Sequence, residues 1–125
     1  MISGIHHVKL PLSDVRRSRA WYERVLGFEP VMEFVEDGEL MGVALRREGC
    51  PAQIALRQDP TRARALSGFD AVALLAPTRE DVRRCEAALY RVGEPHGGLV
   101  TGHKGGTVLV GLHDPDGIEI RLYAD

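Results

Sequence analysis

Asp114-Pro115-Asp116-Gly117-Ile118-Glu119-Ile120-Arg121-Leu122-Tyr123 is an acidic turn that runs directly into an alternating stretch. Pro115 presets φ for a tight turn, Gly117 supplies a positive φ, and the aspartates can accept hydrogen bonds from their own backbone. Apolar and polar residues then alternate with the period of a strand that has one packed face. Ile118, Ile120 and Leu122 take the packed side, and Glu119, Arg121 and Tyr123 take the other. A closing strand of this kind needs a sheet to join, so the rest of the chain is read for its partners.

Moving upstream, Thr107 to His113 reads as a strand, Glu94 to Val100 as a loose strand, and the glycine-rich stretch Gly97 to Gly106 as a loop. Arg79 to Val92 reads as a helix begun at the Pro77-Thr78 boundary and stopped at Gly93, and Phe69 to Ala76 as a further strand. The same order is found in the first half. Gly4-Ile5-His6-His7-Val8-Lys9-Leu10 recurs in outline as Gly68-Phe69-Asp70-Ala71-Val72-Ala73-Leu74, 64 positions later, and Asp14-Val15-Arg16-Arg17 recurs verbatim as Asp81-Val82-Arg83-Arg84. Ile5 to Leu12 reads as a strand. A helix capped by Ser13 or Asp14 carries Val15, Ala20, Trp21, Val25 and Leu26 as its apolar stripe and ends at Gly27. Strands Glu29 to Glu36, Leu40 to Arg47 and Gln53 to Arg57 follow, separated by the Asp37-Gly38 turn and a Gly-Cys-Pro break. Each half is therefore βαβββ, which points to duplication of one supersecondary module.

At 125 residues and 13.8 kDa, the chain fits a single domain, residues 1–125, with 44% hydrophobic and 27% charged residues. No apolar run reaches the roughly 20 residues needed to cross a membrane. Met1 to Lys9 lacks a basic segment ahead of an apolar one, so cytoplasmic residence is the expectation. A net charge of −2 gives no reason to expect a nucleic-acid surface. Cys50 and Cys85 lack metal-site spacing and read as structural thiols.

His7-Val8-Lys9-Leu10, the Ser18 to Phe28 run with Trp21-Tyr22-Glu23 and Val25-Leu26-Gly27-Phe28, the doubled βαβββ order and Asp114-Pro115-Asp116-Gly117 together resemble the vicinal oxygen chelate superfamily. That group includes glyoxalase I, bleomycin-resistance proteins, fosfomycin-resistance enzymes and extradiol dioxygenases. The resemblance covers nearly the whole chain. It implies an α+β fold of two modules, residues 4–58 and 68–123, whose curved mixed sheets form a cup with the helices on the convex side. Relatives of this size usually form homodimers. Strand alternation then places His7 and Lys9 in the cup with His6 turned away, and Gln53, Ala55 and Arg57 in the cup with Ile54 and Leu56 packed.

The family's metal site takes a ligand from the first and last strand of each module. His7 matches the first such position, whereas Ala55, Ala71 and Arg121 stand at the other three. Alanine has no donor and a guanidinium repels a cation, so no tightly held divalent metal and no other cofactor are expected. A shifted set of His7, Gln53 and Glu119 is the alternative for a divalent metal, Glu119 lying on the inward face about 6.5 Å from the Arg121 position. The ligand-binding candidates are His7, Lys9, Gln53, Arg57, Glu119 and Arg121, and Arg121 is expected to hold an anionic group. Structural readings stand beside these: an Arg121–Glu119 pair, a merely polar His7 and Lys9, and Trp21 and Tyr22 as core. Three functional classes remain open. One is a metal-free binding protein that, like the bleomycin-resistance members, requires only the cup and its lining, here for a small organic anion, and a second is a metal-dependent lyase, isomerase or dioxygenase. The third is a metal-free enzyme using His7 or Tyr123 as acid or base.

Overall fold

A computed structural model describes all residues, 1–125. The chain divides into two compact units, Met1–Ala65 and Leu66–Asp125. The first contains β1 (His7–Leu12), α1 (Val15–Leu26), β2 (Glu29–Glu36), β3 (Glu39–Arg47), β4 (Cys50–Gln58) and α2 (Pro60–Ala65). The second contains β5 (Asp70–Leu75), α3 (Arg79–Val92), β6 (Leu99–Thr101), β7 (Thr107–Leu109) and β8 (Glu119–Ala124). Each unit builds one four-stranded mixed sheet, ordered β1-β4-β3-β2 in the first and β5-β8-β7-β6 in the second. The first strand of each module pairs parallel with its last, and the other pairings are antiparallel. This is the expected α+β fold of two βαβββ modules. Both sheets are open, with β1 and β2, like β5 and β6, as their unpaired edges.

Local chemistry explains the helices. Asp14 caps α1 by accepting from the Arg17 amide, and Gly27 ends it in the left-handed region at φ 70°. Thr78 and Asp81 form a reciprocal capping box at the start of α3. In the first module Val15, Trp21, Tyr22 and Leu26 of α1 are buried, as are Val43 and Leu45 of β3, Ile54 and Leu56 of β4, and Leu10 and Leu12 of β1. Those strand residues share one face of the sheet, so the opposite face, with His7, Lys9 and Ala55, is left without a helical cover. In the second module Val82 and Leu89 of α3 are buried with Val108, Ile120 and Leu122.

The DPDG turn forms as read: Asp114 Oδ1 accepts from the Asp116 and Ile118 amides at 2.9 and 3.1 Å, and Gly117 has φ 81°. Four boundaries differ from the sequence reading. Cys50 and Pro51 do not break the chain but begin β4. The stretch from Glu94 is irregular until Leu99, and β6 lies inside the expected glycine loop. The strand expected to run from Thr107 to His113 ends at Leu109, leaving only an isolated bridge from His113 to Glu119. A short α2, which carries no pronounced periodic pattern, follows β4.

Candidate functional site

The uncovered face of the first sheet carries a concavity of about 530 Å³. Its shape follows from the strand register. The two central strands bring small residues to its middle, Ala44 of β3 opposite Ala55 of β4, while Arg57 of β4 stands opposite Gly42 of β3. The edge strands raise long side chains around that floor. Lys9 of β1 stands opposite Ala55 and His7 opposite Gln53, while Met32 and Phe34 of β2 stand opposite Ala44 and Gly42. With three strand spacings between β1 and β2, the trough spans about 14 Å between backbones. Two bulges in the β2–β3 hairpin set this register. One lets Phe34 oppose Gly42, and the other leaves Val31 as an extra residue, so that consecutive Val31 and Met32 both line the concavity.

Gly42 is required by this packing. A Cβ there would lie 2.5 Å from the Leu56 carbonyl oxygen and 3.5 Å from Phe34 Cδ2, so backbone and ring already fill the space.

The polar groups lie mainly along β1 and β4. Arg57 donates to both oxygens of Glu36, at 2.8 and 3.0 Å. These hydrogen bonds raise the guanidinium's pKa above its ordinary value and hold the Glu36 carboxyl below its own. The Arg57 charge is thus neutralised from within the module. Lys9, which is exposed, makes no such pair. His6 also lines the concavity, its Nδ1 lying 2.9 Å from Nδ1 of His7. This corrects the expectation that His6 turns away: β1 begins only at His7, so strand alternation does not govern the residue before it. One imidazole donates and the other accepts in this contact, so the pair carries at most one positive charge in that geometry.

The remaining candidates belong to the second module. Arg121 Nε donates to Glu119 Oε2 at 2.6 Å, and Arg121 Nη1 lies 3.3 Å from Asp70. Glu119, only 9% exposed, also accepts from the Gly111 amide at 3.0 Å. Burial pushes its carboxyl up, while the Arg121 and Gly111 hydrogen bonds more than offset this and leave it below its ordinary value. The Arg121–Glu119 pair is thus present in its structural form. Tyr123, half-buried, lies against Gly102 and Gly106, where an added Cβ would collide with its ring.

The donor chemistry does not fit a divalent metal. No three His, Cys, Asp or Glu side chains come together. Ala55 and Ala71 have no donor atom, and Arg121 holds the carboxylates of Glu119 and Asp70. His7 and Gln53 of the shifted set are register partners in the first module, while Glu119 in the second is already engaged.

The sequence profile of the Glyoxalase/Bleomycin resistance protein/Dioxygenase superfamily matches residues 4–122, and the chain belongs to that superfamily. It is 31% identical over 127 residues to catechol-2,3-dioxygenase of Bacillus subtilis (strain 168), an alignment covering 97% of this chain and 41% of that protein. The chain thus spans less than half the length of that relative. Lactoylglutathione lyase from Agrobacterium tumefaciens has a similar structure, with TM-score 0.78 and 16% identity over 99% of this chain and 95% of the other. An antibiotic binding protein from Streptomyces sp. CB03234 is also similar, with TM-score 0.70 and 23% identity over 98% of this chain and 96% of the other. No helix is long and apolar enough to cross a membrane.

Proposed function

We propose that this chain is a small-molecule-binding member of the superfamily, which holds a small organic anion in the first-module concavity without a metal. The observation that carries this reading is the concavity itself. Its volume of about 530 Å³ is within the ~300–1,000 Å³ of typical ligand sites, and its lining is apolar with a few convergent polar groups. Binding requires only that lining, whereas metal-dependent chemistry requires donor atoms, and Ala55, Ala71 and Arg121 supply none. The antibiotic binding protein from Streptomyces shows that the same fold serves a binding role.

The dioxygenase relative favours a second reading, a metal-dependent enzyme, and the two are separated by one set of measurements. In a thermal-shift screen of small carboxylates, phenols and antibiotics in the presence of EDTA, anions are expected to raise the melting temperature. Ala55→Leu, which fills the floor, is expected to abolish the shift. The reading fails if no anion stabilises the protein in EDTA, or if added Fe²⁺ or Mn²⁺ is needed for stabilisation and produces turnover of a catechol. We further propose a homodimer, as relatives of this size usually form; light scattering should then give twice 13.8 kDa.

A further inference from the structure

We propose that the ligand is a planar aromatic monoanion, laid flat on the Ala44–Ala55 floor with its charge read by Lys9. This rests on the first-module concavity being the ligand site, and it names the chemistry that site selects.

The shape argument begins with the relief of the sheet. Along the Ala44–Ala55 rung no side chain extends beyond Cβ, so the middle of the trough is low there, between Gln53 and Arg57 of β4. A planar ring system can touch Ala44 and Ala55 over its whole face at ordinary van der Waals separation, about 3.5–4.0 Å. A puckered aliphatic body of equal size meets the floor at a few atoms only. The wall opposite Lys9 consists of Met32 and Phe34, which are 55% and 39% exposed and so offer apolar surface to a bound molecule. Thioether sulfur and a phenyl edge are also the apolar groups that gain most from an aromatic partner.

The charge argument is a count of cations. Arg57 is bound by both oxygens of Glu36, and the His6–His7 contact admits at most one proton beyond neutrality. Lys9 is left as the ammonium without a carboxylate, opposite Ala55 at the β1 side of the floor. Gln53, on the neighbouring rung opposite His7, supplies an amide for the second oxygen of a carboxylate. A second negative charge on the far side of the ligand would fall against Met32 and Phe34, where the nearby Arg57 guanidinium is already held by both oxygens of Glu36.

The test uses four naphthalene-sized probes in EDTA, titrated calorimetrically: 2-naphthoate, its neutral methyl ester, the saturated decahydro-2-naphthoate, and the dianion 2,6-naphthalenedicarboxylate. 2-Naphthoate is expected to bind about tenfold or more tightly than its ester, the margin a charge-assisted hydrogen bond gives, and measurably more tightly than the saturated acid, which loses face contact with the floor, and the dianion, whose second charge is uncompensated. Lys9→Met should bring acid and ester to within about twofold of each other, Lys9→Arg should restore the preference, and Ala44→Leu should weaken acid and ester together. Lys9 is exposed on an edge strand, so its replacement leaves the fold intact, which an unchanged melting temperature verifies. Equal binding of acid and ester, equal binding of the aromatic and saturated acids, a dianion as tight as the monoanion, or a preference that survives Lys9→Met overturns this proposal while leaving the concavity as the ligand site. Failure of every probe to bind, or indifference of all of them to Ala44→Leu, overturns the site itself.

Discussion

Replacing Glu119 by Gln isolates what the carboxylate contributes to the second module. In the native protein it accepts from the Gly111 amide at 3.0 Å and from Arg121 Nε at 2.6 Å, tying β8 both to the preceding loop and to its own next inward residue. An amide oxygen of the same shape keeps both contacts at about 1 kcal/mol each, where a carboxylate gives about 1.5–3. The Arg121 side chain is 36% exposed, so screening moves the expected loss toward the low end, about 1.5 kcal/mol. For a chain of this size that corresponds to a melting temperature roughly 6 °C lower at pH 7. The pH dependence follows from the depressed pKa. Stabilisation is complete above the unfolded glutamate value of about 4.3 and is lost as pH falls through the lower folded value. Thermal and urea unfolding of wild type and Glu119→Gln should therefore differ most at pH 7 and approach each other as pH falls below the ordinary glutamate value. A variant as stable as wild type at pH 7, or a difference that persists unchanged at low pH, would refute the reasoning.

Two further substitutions probe the local devices that shape the modules. Gly42→Ala forces a Cβ to 2.5 Å from the Leu56 carbonyl oxygen, which is backbone and cannot rotate away, and should cost about 1–3 kcal/mol in urea unfolding. Thr78→Ala removes the capping box of α3 and should cost about 1 kcal/mol by the same assay, with no effect on ligand titrations in the first module.

What could be read from the sequence was what short-range chemistry decides. Both long helices and their ends follow from Asp14 and Gly27, and from Thr78 and Gly93, because capping and left-handed termination act within a few residues. The faces of β4 and β8 follow from period-two alternation, and Ile54, Leu56, Ile118, Ile120 and Leu122 are buried as that period requires. The bulges were not legible. The Asp37-Gly38 turn pairs Glu36 with Glu39 and Val35 with Leu40, which without a slip would set Phe34 against Met41. Hence Val31, Met32, Phe34 and Ala44 were missed as lining residues, although the Asp37-Gly38 hairpin already placed β2 beside β3. The pairings of Arg57 with Glu36 and of Arg121 with Asp70 join residues distant in sequence, and only the sheet register brings them together. Those pairings shift attention from the two arginines to Lys9.

The central claim, that the first module binds an anion without metal, is tested most directly by an amide NMR titration of the isotopically labelled chain with 2-naphthoate in excess EDTA. The account predicts saturable shifts at Lys9, Ala44, Gln53 and Ala55, with residues around Arg121 and Glu119 undisturbed. Shifts confined to the second module, or none until a divalent metal replaces the chelator, would contradict it.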